Sequence, residues 1–271
     1  MARSILAIAA AVAVGMAVTD ASAEVPLVTG SAVYGLSIEG DGGGAMGGVE
    51  GSMTMTITLA CDTYRSVTSL DADFDGPMGS LPLSIKSDVL ENADSLVFDI
   101  RGAFALAEIE RAKGTATRTD GGISVKLNEP AKETRSVEGD VVFPLAMISA
   151  AVEAAKAGET LIDFVTYDGS SNGRGVWLVS VTIGPAPEPG EDDSGEEALF
   201  AAGLGFADMQ RWQMTFSYYP RDATGDVTPS FSSRAVVYEN GFAQAASYDF
   251  GEFALQLTLD EFSPIPPEPC R

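Results

Sequence analysis

Along most of the chain, apolar and polar positions alternate with a period of two. Residues 51–60 show this most cleanly: Met53, Met55, Ile57 and Leu59 fall on one face, and Ser52, Thr54, Thr56 and Thr58 on the other. A strand with one buried and one wet face gives this pattern, because successive side chains leave a pleated backbone on opposite sides. Comparable segments lie at 32–40, 64–74, 81–90, 95–101, 108–118, 123–128, 161–167, 175–184, 211–219, 233–240, 242–248 and 252–262. Turn chemistry separates them at Asp75-Gly76-Pro77, Asp120-Gly121-Gly122, Asp168-Gly169 and Asn240-Gly241, the last predicting a two-residue type I′ hairpin. About a dozen strands joined by short turns predict a mainly β protein whose antiparallel sheet curls on itself.

One segment changes period. Over 143–157, Pro144 stands at the start, Gly158 follows the end, and Leu145, Ile148, Val152 and Ala155 share one face. That predicts a single helix, either plugging the open end of the barrel or packed outside the sheet. Two stretches read as loops. Six of the nine residues over 40–48 are glycine, with no following Lys-Ser/Thr to make a phosphate cradle. Residues 185–208 carry Pro185, Pro187, Pro189 and an acidic run, and read as a solvated acidic insertion. They lack the ligand order of a calcium loop.

Composition narrows the chemistry. A chain of 271 residues with 45% hydrophobic side chains buries a sizeable core, which excludes disorder as its main state. Sixteen Lys and Arg against thirty-nine Asp and Glu leave a net charge of −23, so nucleic acid and anionic lipid surfaces are not expected partners. Histidine is absent, which removes Ser-His-Asp and Cys-His catalysis and the commonest metal ligand. Two cysteines are too few for a zinc cluster or an iron–sulfur site. Residue chemistry alone therefore names no reaction, and no cofactor or metal site is expected.

The N-terminus carries Arg3, an apolar run over 5–18 and then Ala21-Ser22-Ala23, the pattern of a signal peptide cleaved after residue 23. The run is short for a bilayer span, and no cysteine follows for lipidation. The expected product is an exported, periplasmic protein of residues 24–271 that does not span the membrane. In an oxidising compartment Cys61 and Cys270 are more often bonded than free, the alternative being two separately buried thiols.

Several segments, in order, resemble the EipB-like cell-envelope integrity family of Gram-negative bacteria. They are Ala32-Val33-Tyr34-Gly35-Leu36-Ser37, Cys61-Asp62-Thr63-Tyr64, Phe143-Pro144, Tyr167-Asp168-Gly169-Ser170, 211–218, Tyr238-Glu239-Asn240-Gly241, 248–253 and the terminal Cys270. The resemblance implies one domain over 24–271, folded as a spiral-like, incompletely closed antiparallel β-barrel with one main α-helix; the acidic loop at 185–208 is particular to this branch. It also implies a Cys61–Cys270 disulfide, a non-enzymatic role in envelope integrity, and a fold similar to periplasmic lipoprotein carriers. The chain departs from the family at Thr29-Gly30-Ser31, where Pro-His-Arg is frequent, and at Leu145-Ala146-Met147, where a histidine is common.

Three functions follow from different classes. The leading one is an envelope protein acting through contacts with other envelope proteins or components. The second is a carrier or sensor of an apolar ligand, such as an acyl chain, peptide or lipoprotein tail, held in the open barrel. Its lining residues would come from Met53, Met55, Trp212, Met214 and Tyr218, although a stripe of large apolar side chains is first of all a core face. The third is a carboxylate-based glycan hydrolase using Asp249 with Glu252, or Glu39 with Glu50. With thirty-nine acidic residues, chance pairs are expected. Asp168 is read as a turn residue bonding its own backbone.

Overall fold

The computed structural model describes residues 26–38, 48–76, 79–188, 203–222, 224–225, 227–251 and 253–270. The segment expected to be a signal peptide, the glycine-rich residues 40–47, Glu39, Glu252 and residues 189–202 of the acidic loop lie outside the described residues.

The first strands are β1 (Gly30–Ile38), β2 (Gly48–Ala60), β3 (Thr63–Gly76), β4 (Gly79–Glu91), β5 (Ser95–Phe104), β6 (Ala107–Thr119), β7 (Gly122–Glu129) and β8 (Glu133–Glu138). After β9 (Val141–Val142) come helix α1 (Pro144–Lys156), β10 (Leu161–Tyr167) and a single turn, α2 (Ser170–Gly173). The chain finishes with β11 (Val176–Pro185), β12 (Arg211–Pro220), β13 (Phe231–Tyr238), β14 (Ala243–Asp249) and β15 (Ala254–Pro264). Together they form one sheet in the order β8-β7-β6-β5-β4-β3-β2-β1-β15-β14-β13-β12-β11-β10-β9. Every neighbouring pair is antiparallel except β9 with β10. The first eight strands thus meander one way from β1, and the last seven return to its other side.

The result is a nearly closed β-barrel with one unsealed seam, between β8 and β9. These strands are consecutive in sequence yet form the two edges of the sheet. Side chains span the seam where the ladder does not. Arg118 Nη1 donates to the Val141 carbonyl at 2.8 Å, and Arg221 Nη2 to the Glu138 carbonyl at 2.6 Å. Beneath them Phe98, Val125, Val137, Val141 and Tyr167 pack in one buried cluster.

Three features depart from the expectations set by the sequence. Strands β8 and β9 were not predicted: the inward positions of β8 are Glu133, Arg135 and Val137, which carry no apolar alternation. The Asn240-Gly241 hairpin is not type I′, because only Gly241 (φ 77°) is left-handed, and Tyr238 N–H bonds the Phe242 carbonyl across a three-residue loop. The 185–208 loop is not wholly a solvated insertion. Phe206 is 7% exposed and packs on Tyr238, Phe242 and Phe262. The last strand pairs with β1 and β14, and only the tail beyond it reaches Cys61.

Helix α1 lies inside the barrel. Val152 and Ala155 pack with Val179, Val181, Met214 and Phe216 from the inner faces of β11 and β12, while Leu145 and Ile148 share a cavity with residues of β1 and β2. A helix enclosed in this way is apolar around most of its circumference, which is why its apolar stripe alone did not place it. Its ends follow the sequence signals: Pro144 enters in the first turn, and Gly158 (φ 84°) follows the last one with its N–H bonded to the Ala155 carbonyl.

Candidate functional site

The barrel holds an apolar cavity of about 260 Å³. Its walls follow from the two-residue period of the strands. Gly30, Ala32 and Tyr34 of β1 alternate inward, as do Met55 and Ile57 of β2, Phe216 and Tyr218 of β12, Ser233, Ala235 and Val237 of β13, and Ala246 and Tyr248 of β14. The space exists because small residues occupy inward positions on adjacent strands. Ala235 faces Ala246 across β13 and β14, and Ala32 stands between Met55 and Phe262. Leu145 and Ile148 of α1 form another wall.

One end of the cavity is covered by Leu27, Gly241, Phe242 and Phe262. A Cβ on Gly241 would run into the Leu27 side chain, so glycine serves there both the left-handed turn and the close approach. The cover is tied to the barrel from two sides. Leu27 N–H donates to the Tyr64 hydroxyl at 3.1 Å, and Thr29 Oγ1 donates to the Ile265 carbonyl at 2.6 Å. Beyond Ile265 the tail crosses to β2, where Glu268 N–H meets the Leu59 carbonyl at 2.8 Å and Cys270 is disulfide-bonded to Cys61, 209 residues earlier.

Polar groups on the cavity wall are few. The Tyr34 hydroxyl donates to the Ala243 carbonyl at 2.9 Å. Tyr218 stacks on Phe231 with ring centroids 4.3 Å apart. Burial pushes the phenols of Tyr34, Tyr218 and Tyr248 well above the usual tyrosine range, with Tyr248 adding to the shift of the other two. All three remain protonated donors at neutral pH.

Of the five residues predicted to line a ligand site, Met55 and Tyr218 line this cavity. Met214 is fully buried beneath α1, Trp212 packs half-buried against the same cluster, and Met53 belongs to the neighbouring core, opposite Tyr34. The sequence reading missed Tyr34, Tyr248, Phe216 and the two helix residues as lining. The small residues at inward positions of β13 and β14, Ala235 and Ala246, are the signal in the sequence that could have found the cavity.

The carboxylates considered for hydrolysis serve turns or lie apart. Asp168 Oδ1 accepts the Ser170 N–H at 2.9 Å, as an Asx turn does, and burial pushes its pKa above the ordinary aspartate value. Asp249 Oδ1 accepts the Gly251 N–H at 2.7 Å, and Glu50 stands exposed on β2. Among the described residues no group of three or more His, Cys, Asp or Glu side chains is placed to hold a metal, and no helix is long and apolar enough to cross a membrane.

The sequence model of a family described as EipB-like matches residues 21–266. The chain is 24% identical over 248 residues to the cell envelope integrity protein EipB of Brucella abortus (strain 2308), covering 89% of this chain and 85% of that one. The crystal structure of a β-barrel-like protein from Brucella abortus, from a domain family of unknown function, superimposes with a TM-score of 0.77 at 21% identity. It spans 89% of this chain and all of its own.

Proposed function

The chain belongs to the EipB-like family, and on that premise we propose that it is a periplasmic protein that supports cell-envelope integrity by holding an apolar chain in its barrel, without catalysis. The envelope role is supported by the relative that carries it in its name. The location is supported by the export signal in the sequence, and the mode of action by the cavity. At about 260 Å³, the cavity exceeds the roughly 150 Å³ that accepts a benzene molecule, and it sits just under the usual range of small-ligand sites. A single acyl-like chain suits its lining, which is apolar apart from the hydroxyls of Tyr34, Tyr218, Ser233 and Tyr248.

The test is native mass spectrometry of the protein released from the periplasm without detergent. The expected result is an added mass on the wild-type chain that is lost in Ala246→Phe, a change that fills the cavity. A bare polypeptide mass for the wild type would remove the carrier reading. Action through the outer surface on other envelope components is the second reading. It is favoured by Leu106, 90% exposed at the tip of the β5–β6 hairpin.

A further inference from the structure

The cavity is apolar along most of its length, but three hydroxyls meet on its wall. Tyr218 on β12, Ser233 on β13 and Tyr248 on β14 occupy adjacent strands, with Ser233 paired to both Phe216 and Tyr248. None of the three hydroxyls has a hydrogen-bond partner among the described residues, whereas Tyr34 on the same wall uses its own on the Ala243 carbonyl. All three side chains open onto the cavity, and a hydroxyl on an apolar wall is stabilised by an acceptor placed there. A ligand filling the cavity is the natural acceptor.

The surroundings decide the charge of that acceptor. Among the described residues no Lys or Arg lines the cavity. The positive end of α1 is already used: Leu145, whose side chain lines the cavity, gives its amide to the Glu91 carboxylate, as does Ala146. Asp168 lies close enough to Tyr218 to oppose its ionisation, and the whole chain carries −23. A carboxylate or phosphate placed beside Tyr218 would meet neither a cation nor a free helix terminus.

We infer that the cavity takes an uncharged acyl ester or acyl amide, whose carbonyl oxygen accepts hydrogen bonds from the hydroxyls of Tyr218 and Tyr248. The inference rests on the reading of the cavity as a ligand site and specifies the chemistry of that ligand. Glycerolipids present the ester form, and N-acylated peptides the amide form.

The experiment is displacement of the fluorescent probe N-phenyl-1-naphthylamine from the purified, oxidised protein at pH 7.5. The competitors are methyl decanoate, N-methyldecanamide and decanoic acid. The expected result is that a neutral carbonyl compound competes about tenfold or more better than the acid, with the better of ester and amide marking the source. In Tyr218→Phe with Tyr248→Phe, with each competitor scaled to that variant's own affinity for the probe, the preference for the neutral compound should be lost, while Tyr34→Phe should keep it. Thermal melting confirms that each variant is folded, and Ser233→Ala with Tyr248→Phe serves if the first pair is not. Equal or tighter binding of the acid, or a preference that survives loss of both hydroxyls, overturns the inference and leaves the carrier reading standing. A wild-type protein that binds no probe overturns both.

Discussion

The Glu91 carboxylate, at the end of β4, accepts the backbone N–H of Ala146 at 2.8 Å and so caps a helix that begins more than fifty residues later. It also takes the Leu145 N–H, at 3.0 Å, and is 4% exposed. Helix α1 has no side-chain cap of its own and no acid in its first turn. The wall of the barrel therefore supplies the partner that the first amides of a buried helix require.

Replacing that partner should be costly. Glu91→Ala leaves two buried amides unmet and is expected to lower stability by about 2–3 kcal/mol, with Glu91→Gln, which keeps one acceptor oxygen, losing less. Urea unfolding midpoints give both values. Equal stability of Glu91→Ala and the wild type would show that α1 does not depend on this cap.

The disulfide holds the proline-rich tail across the covered end of the cavity. Loop closure over 209 residues corresponds to about 5 kcal/mol at most. Reduction is therefore expected to lower the Tm by several degrees or more. Cys61→Ser, Cys270→Ser and the double variant should melt together, since each removes the whole cross-link. Separate melting temperatures for the three would mean that one thiol has an additional role.

Asp168 gives a pH signature. Burial raises its pKa in the folded chain above the unfolded value, against the Ser170 and Trp177 donors that favour the ionised form. Because the unfolded chain releases this proton first as pH rises, ionisation of Asp168 opposes folding at neutral pH and stops doing so in acid. Asp168→Asn keeps an acceptor for the Ser170 amide, and it should be at least as stable as the wild type at pH 7.5. The difference should shrink as pH falls and vanish below about 3.9. An asparagine variant less stable at pH 7.5, measured by urea unfolding, would contradict this.

The seam should yield to changes at Phe98 and Tyr167, whose rings meet edge to face at 5.8 Å. Tyr167 also donates its hydroxyl to the Gly173 carbonyl at 2.9 Å. Tyr167→Phe is expected to cost about 1 kcal/mol, and Phe98→Ala about 3–5 kcal/mol. Amide exchange in 168–174 should speed up in both variants, because Gly169 rests on the Phe98 ring. Unchanged exchange there would mean that the seam is held by other contacts.

The sequence by itself determined the strands, because a half-buried strand writes its two faces into every second residue, and it determined α1 through Pro144, Gly158 and a 3.6-residue stripe. It also singled out the two cysteines that the structure joins, and placed Met55 and Tyr218 on inward faces. It did not determine what lies over an inward face. Met214 and Tyr218 share one face of β12, yet α1 covers the first while the second borders the cavity. Period-two patterning assigns a side of the sheet and carries no information about the layer above it. For the same reason β8 carries no alternation: of its inward positions only Val137 enters the apolar cluster, while Arg135 lies over the Tyr167 ring and Glu133 pairs with Arg174. The cap on α1, the cavity and the seam all arise from residues brought together by the closing of the sheet. Such contacts depend on long-range pairing, and only the tertiary structure decided them.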